Sequence, residues 1–481
     1  MKFFLKPERI IIVIDKLVGD TVMLKEYRIL SPSGIVGYGF PEESWNRGIE
    51  QKPDLIACDA GSTDPGPYYL GSGKPFTTPS AVKRDMGLML KGAIELGIPM
   101  VIGSCGGSGG TPHLEREIGI IKEIAKENGY SFKMATISSE FDKEFLVQEC
   151  EKGNIVRLGA APEVTPDDIR GCRRIVAQMG VESIIKALDA GAQVVLCGRA
   201  YDPSAFAADP IRRGYSEALA THLGKILECS CIAAVPGSAS DCIMGYLYED
   251  SFAVEPCSPN RICTTTSVAA HTLYEKSNPY MLPGPGGTLN LHDCRFVQET
   301  ERRVRVYGSQ FIPQERKNVK LEGVKSAGYR TISICGNRDS VFISHIDEVL
   351  EGVKRRTAEN ISGTNIKYNL DFIVYGKNGV MGALEPLKEI TSHEVGIVID
   401  AVADTQENAN TVCSVARSTM LHYGYEGRIA TAGNLAFPFS PSDIPVGEVF
   451  NFSAYSLLEN DDPAELFPRT YYEFIDGEEK S

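Results

Sequence analysis

Between residues 40 and 240 the chain alternates two apolar patterns. Helical spacing recurs over 80–96, 113–128, 141–150, 166–179 and 182–190, and strand-like runs begin near Leu55, Met100, Phe132, Ile155 and Val194. Strands separated by helices of this length predict an α/β fold, a largely parallel sheet with helical crossovers. The punctuation agrees: Pro79 and Ser80 open the first helix, Gly97 follows it, and Thr111 with Pro112 opens the next.

Beyond residue 250 the texture changes. Strand-like pieces fall at 303–307, 329–334, 341–345, 372–375 and 395–402, with helical patterns over 347–356 and 405–423. This predicts two units, an α/β domain over 1–250 carrying glycine-rich strand-end loops and a smaller α+β region over 251–481 closing the cleft. The string PGPGG, which contains Gly284 to Gly287, reads either as a linker or as a loop over a cleft. No repeat of solenoid length and no low-complexity segment interrupts the chain.

Composition narrows the function classes. A chain of 481 residues with 43% hydrophobic residues is long and apolar enough for two or three cored domains. A net charge of -14 without a Lys/Arg-rich run argues against nucleic acid as a partner. The apolar run Ile10 to Ile14 is too short for a signal peptide and is followed by Asp15 and Lys16, and no apolar span approaches 18 residues. No membrane segment is expected, and the cytoplasm is the expected compartment. The 13 cysteines are odd in number and scattered, with Cys58, Cys197 and Cys335 inside apolar strands, the pattern of reduced buried thiols.

Candidate chemistry gathers in three loops that each follow a strand: DAGSTDPGPYYLGSG from Asp59, GSCGGSGG from Gly103, and CGRAYD from Cys197. Ligands of α/β proteins bind at such strand ends. In the first loop a tight turn between Asp59 and Asp64 would bring both carboxylates to one pocket, where repulsion raises one pKa and gives an acid and a base. The alternative is that both are turn formers, with Ser62 and Thr63 as local hydrogen-bond partners rather than ligand contacts.

In the second loop Ser104, Cys105, Gly106, Gly107 and Ser108 precede a helix, so backbone N–H groups and the helix end would cradle a carboxylate or phosphate. The loop fits neither the Walker nor the GxGxxG fingerprint, and no nucleotide is expected. Cys105 with His113 as its base is a nucleophile pair on paper, against a small buried thiol as the commoner outcome. In the third loop Arg199 grips a substrate carboxylate, or else pairs internally with Asp202, which otherwise serves as a base. Tyr201 offers a phenolic donor or packs. Lys377 and Asn378, in YGKNG, form a further polar patch or an exposed turn. His113 and Glu117 lack a third ligand and the cysteine pairs lack metal spacing, so no structural metal is expected and no cofactor is assigned.

The strings DAGSTDPGPYYLGSG, CGRAYDP, YGKNGVMGALEP and LHYGYEGRIATAGNLAFPFSPSDIP resemble those of the acyclic terpene utilisation AtuA-like family, from about Ile29 to Val446. That resemblance implies a setting among catabolic enzymes for branched terpenoid acids, acyl-CoA thioesters and amino acids, and a separate small companion subunit. Together with the loops it leads to an expected function: acid/base catalysis on a small carboxylic acid or its CoA thioester, with a hydro-lyase favoured and Asp59, Asp64 or Asp202 moving the proton. The competing expectation is a non-catalytic ligand-binding or scaffold subunit. A homo-oligomer is compatible with either.

Overall fold

The structure, a computed structural model, describes residues 25–274 and 276–480. The run Ile10 to Ile14 lies outside them. The N-terminal half supplies β1 (Tyr27–Ser31), β2 (Leu55–Asp59), β3 (Met100–Gly103), β4 (Phe132–Ile137), β5 (Ile155–Arg157), β6 (Arg174–Ala177) and β7 (Val194–Cys197). Then come β8 (Ile243–Leu247), β9 (Ser251–Pro256), β10 (Met281–Gly284), β11 (Gly287–Asn290), β12 (Arg295–Gln298), β13 (Val304–Tyr307) and β14 (Gln310–Pro313). The last are β15 (Asn318–Asn337), β16 (Tyr368–Tyr375), β17 (Val395–Ala403), β18 (Asp443–Glu459), β19 (Arg469–Ile475) and β20 (Glu478–Lys480).

Among the described residues the main sheet has eleven strands, in the order β12-β13-β9-β8-β1-β2-β3-β7-β4-β19-β20. Its centre, β1 through β4 with β7, is parallel, and both flanks are antiparallel. The centre is parallel because helical crossovers cover both faces, which is why β2 and β7 are buried along their whole length and read as apolar runs, with Asp59 closing β2. Successive residues serve opposite cores: Ile29, Leu55 and Val195 face one cluster, Leu30, Ile56 and Leu196 the other. Helix punctuation is as the sequence implies. Thr78 caps the helix Pro79–Leu96 by accepting from Ala81 N, and Gly97 ends it at φ 65°.

Residue 250 falls in the turn between β8 and β9, antiparallel neighbours in this one sheet. The second sheet runs β16-β17-β15-β18-β5, with β6 also pairing with β15. The halves thus exchange strands: β5 and β6 enter the C-terminal sheet, and β19 and β20 return to the main one. The helices Ile346–Ile361 and Gln406–Leu421 supply buried residues to the C-terminal core with β17.

Two sequence expectations change. The helix expected over 166–179 stops at Gly171, and Arg174–Ala177 is β6 instead, because Leu321–Val324 offers it a strand partner 144 to 150 residues away. The strand expected over 341–345 is a short helix, Ser340–Ser344, whose cap Asp339 accepts from Val341 N at 3.0 Å. PGPGG is the tip of the β10/β11 hairpin, where Gly286 takes a φ of +80°. Among the described residues no helix is long and apolar enough to cross a membrane.

Candidate functional site

The three loops do converge at the carboxyl ends of β2, β3 and β7. Ala60 N donates to Gly103 O (2.9 Å), and Cys105 N donates to Cys197 O (2.9 Å). A Cβ on Gly109 would lie 2.0 Å from the backbone N of Arg199, and one on Gly107 would lie 1.9 Å from the Phe76 ring. Glycine is required there by close approach, and Phe76 and Arg199 occupy the space its side chains would have taken. Ser104, Cys105, Gly106, Gly107 and Ser108 are all buried.

Asp59 closes β2 at 5% exposure. Its Oδ2 accepts weakly from Gly61 N at 3.3 Å, and its Oδ1 has no partner among the described residues. Burial pushes its carboxyl well above the ordinary aspartate range, and the nearby Asp202 pushes the same way, against the pull of Arg199. The result is a carboxyl whose ionisation is opposed by its surroundings and whose Oδ1 has no hydrogen-bond partner among the described residues.

Arg199, 2% exposed, is a counter-ion held from several sides. Its Nε donates to Glu322 Oε2 (2.9 Å), and its Nη1 reaches Asp202 Oδ1 (2.9 Å), Ser104 Oγ (3.1 Å) and Ala200 O (2.7 Å). Of the two readings the sequence leaves open, the internal salt bridge with Asp202 is the contact formed. Glu322 arrives from β15, fully buried, and also takes Lys320 Nζ (2.9 Å) and Gln178 Nε2 (2.9 Å). Burial opposes its ionisation, but Arg199 and Lys320 outweigh burial and hold its carboxyl at about 2.

The remaining candidates disperse. Asp64 is exposed, its N–H donating to Ser62 Oγ (3.1 Å), so the carboxylate that joins Asp59 electrostatically is Asp202 rather than Asp64. Thr63 is buried and Ser62 half-buried. Burial pushes the Cys105 thiol up, with Glu117 adding to it, the opposite of thiolate activation. The Tyr201 ring packs under the PGPGG tip, 2.8 Å from where a Gly284 Cβ would stand. Lys377 pairs with Asp347, and Asn378 follows in the turn after β16. Both lie at the Asn337 end of β15, roughly 45 Å from Glu322 at the usual strand rise.

Sequence reading missed Glu322, Lys320 and Gln178, and also Lys225 and Glu228, a buried pair (2.5 Å) whose Glu228 acts on Asp59. Lys225 Nζ lies 4.4 Å from the Tyr274 ring centre. The one available signal was a Lys and a Glu three apart in the otherwise apolar LGKILE. Among the described residues no group of three or more His, Cys, Asp or Glu is placed to hold a metal ion.

Fold and site together define a mixed α/β protein whose parallel strand ends enclose a buried cluster of acids and counter-ions. The chain belongs to the acyclic terpene utilisation family of AtuA proteins, whose profile matches residues 82–240 and 253–438. Those spans contain Arg199, Asp202 and Glu322. No curated protein and no solved structure matches the chain.

Proposed function

We propose that the protein is a catabolic enzyme that acts on a small carboxylic acid or its CoA thioester by acid/base chemistry, as a hydro-lyase. The observation that carries this reading is Asp59, a buried acid with an unbonded oxygen, set electrostatically against Asp202, whose oxygen is held by Arg199. Environments that separate two carboxyl groups into a proton donor and a proton acceptor are the mark of acid/base sites. In dehydration Asp202 takes the proton from the carbon next to the carboxylate or thioester, and the C–H electron pair forms the new double bond. Asp59 protonates the departing hydroxyl, which leaves as water, and the two carboxyls exchange states. Buried thiols such as Cys58, Cys197 and Cys335 support a reducing compartment, and we place the enzyme in the cytoplasm with a separate small companion subunit.

The second reading, a non-catalytic subunit, is favoured by one observation: Phe76 and the Arg199 backbone fill the glycine loop, and the Arg199 charge is satisfied internally. Turnover decides between them. Hydration of α,β-unsaturated acids and acyl-CoA thioesters, followed by loss of ultraviolet absorbance, is expected to fall roughly a hundredfold or more in Asp59→Asn and Asp202→Asn. Rates within a few-fold of wild type in both variants would leave the subunit reading standing.

A further inference from the structure

Among the described residues, four large apolar side chains are more than three-quarters exposed, and all four belong to two loops. Val380 (86%), Leu384 (80%) and Leu387 (77%) lie between β16 and β17, and Ile429 (96%) follows the helix Gln406–Leu421. Tyr375 and Met381, at 53% and 50%, extend the group. Exposed apolar residues are ordinarily scattered singly; here the most exposed ones gather at one end of the C-terminal sheet.

The two loops meet at a hollow. The first is closed at its base, where Ser392 Oγ donates to Gly376 O (3.0 Å), and the ion pair of Lys377 with Asp347 ties it to the helix Ile346–Ile361. Glu394, at its end, and Ile429, in the second loop, line one cavity of about 730 Å³ with Arg338, Tyr425 and Leu435. Gly336 and Gly396, opposite each other on β15 and β17, line it too. A Cβ on Gly336 would meet only Val395 O at 3.5 Å, and one on Gly396 only Tyr375 Cβ at 3.9 Å, so neighbours do not fill the space the glycines leave. One surface thus carries protruding Val, Leu and Ile side chains beside a hollow able to take side chains of that kind.

Its charges are balanced in the same way. Arg338 and Glu394 are exposed on the cavity rim, and neither makes a side-chain hydrogen bond or ion pair among the described residues. Over 338–339, 376–394 and 424–441 there are four Lys or Arg and five Asp or Glu, near balance in a chain whose net charge is -14. The negative excess that repels a second copy therefore lies elsewhere. An anionic membrane, by contrast, would call for a basic excess that this end lacks.

We propose that this end of the C-terminal sheet is a two-fold interface between copies of the chain. Apolar side chains of the two loops in one copy fill the cavity of the other, and Arg338 of each copy pairs with Glu394 of the other. A two-fold interface must be complementary to itself, and a surface with both protrusions and a hollow, and one unpaired charge of each sign, meets that condition. The six exposed apolar residues present on the order of 800 Å², what one partner contributes to an interface of standard size. The inference rests on neither reading of the acid cluster, since Glu322 sits towards the opposite end of β15.

Sedimentation velocity of the full chain at about 10 μM tests this. The wild type is expected to run as a dimer. Leu384→Glu and Ile429→Glu change side chains that are mostly in water in the single chain, so both are expected to keep the wild-type circular dichroism spectrum while weakening self-association roughly tenfold or more. Arg338→Glu and Glu394→Arg each set like charges face to face twice and are expected to weaken it as well, whereas the double variant restores opposite charges and is expected to recover most of the loss. A monomeric wild type, a dimer indifferent to both apolar substitutions, or a double variant no better than the single ones would each overturn the proposal. A monomer that floats with phosphatidylcholine/phosphatidylglycerol vesicles would overturn it in favour of a membrane.

Discussion

Arg199 and Glu322 meet at 2.9 Å although 123 residues separate them, one at the end of a main-sheet strand and the other on β15 of the C-terminal sheet. This contact ties the two sheets together at the acid cluster. Removing one partner strands a buried charge, so Glu322→Ala is expected to cost about 3–5 kcal/mol in urea denaturation. The paired replacement Arg199→Met with Glu322→Leu is expected to cost clearly less. A loss below about 1 kcal/mol for Glu322→Ala would mean that Asp202 and solvent satisfy Arg199 without the pair.

Glu322 also sets an acid limit. Its folded pKa, about 2, lies below the ordinary glutamate value of 4.5, so its contribution to stability is complete above pH 4.5 and disappears as pH falls towards 2. Melting curves of wild type and Glu322→Gln are expected to converge over that window. Parallel curves down to pH 2 would contradict the assignment.

Asp59 titrates with the opposite sign. A carboxyl raised by burial favours the folded state most below the ordinary aspartate value near 3.9 and loses that advantage as pH rises to its folded value. Asp59→Asn mimics the protonated form without titrating. Its melting temperature is therefore expected to gain on wild type as pH increases from 4 to 8. A fixed difference across that range would show that Asp59 is not held protonated.

The glycine loop makes a steric prediction. Gly109→Ala would force a Cβ to within 2.0 Å of backbone at a φ of +65°, and it is expected to cost at least about 3 kcal/mol or to abolish folding. Gly119→Ala, inside the helix Thr111–Asn128 with no atom within 4 Å of the new methyl, is expected to stabilise by about 0.5–1 kcal/mol. Chemical denaturation of the two variants checks both signs.

Thiol labelling gives an independent check on the buried cluster. Cys105 and Cys197 are fully buried and burial pushes both thiols up, whereas Cys150 and Cys294 are half-buried. Iodoacetamide at pH 8 is expected to modify Cys150 and Cys294 at least tenfold faster than Cys105 and Cys197 in the native protein. Equal rates, read by mass spectrometry, would mean that the strand ends open readily.

What was legible in the sequence follows from local physics. The parallel centre of the main sheet was readable because a strand buried on both faces must be apolar, as LIAC and VVLC are, and because Pro79 and Gly97 mark helix ends by their own conformations. The glycine loop was visible as a pattern and read as an anion cradle, whereas the close approach of Phe76 and the Arg199 backbone, which demands glycine at 107 and 109, shows only in the structure. Local pattern failed at Arg174–Ala177 and at Ser340–Ser344: a distant strand partner decided the first, and a capping aspartate outweighed the β-branched residues in the second.

The sequence by itself determined the buried strands β2, β3, β4 and β7, the ends of the helix Pro79–Leu96, and that polar loops follow three strands. It also carried the family's long strings. Only the tertiary structure decided that Arg199 is a counter-ion and that Asp202 rather than Asp64 acts on Asp59. Charges act through space over a few ångströms, and the partners that neutralise or isolate them, Glu322 above all, come from strands more than a hundred residues away.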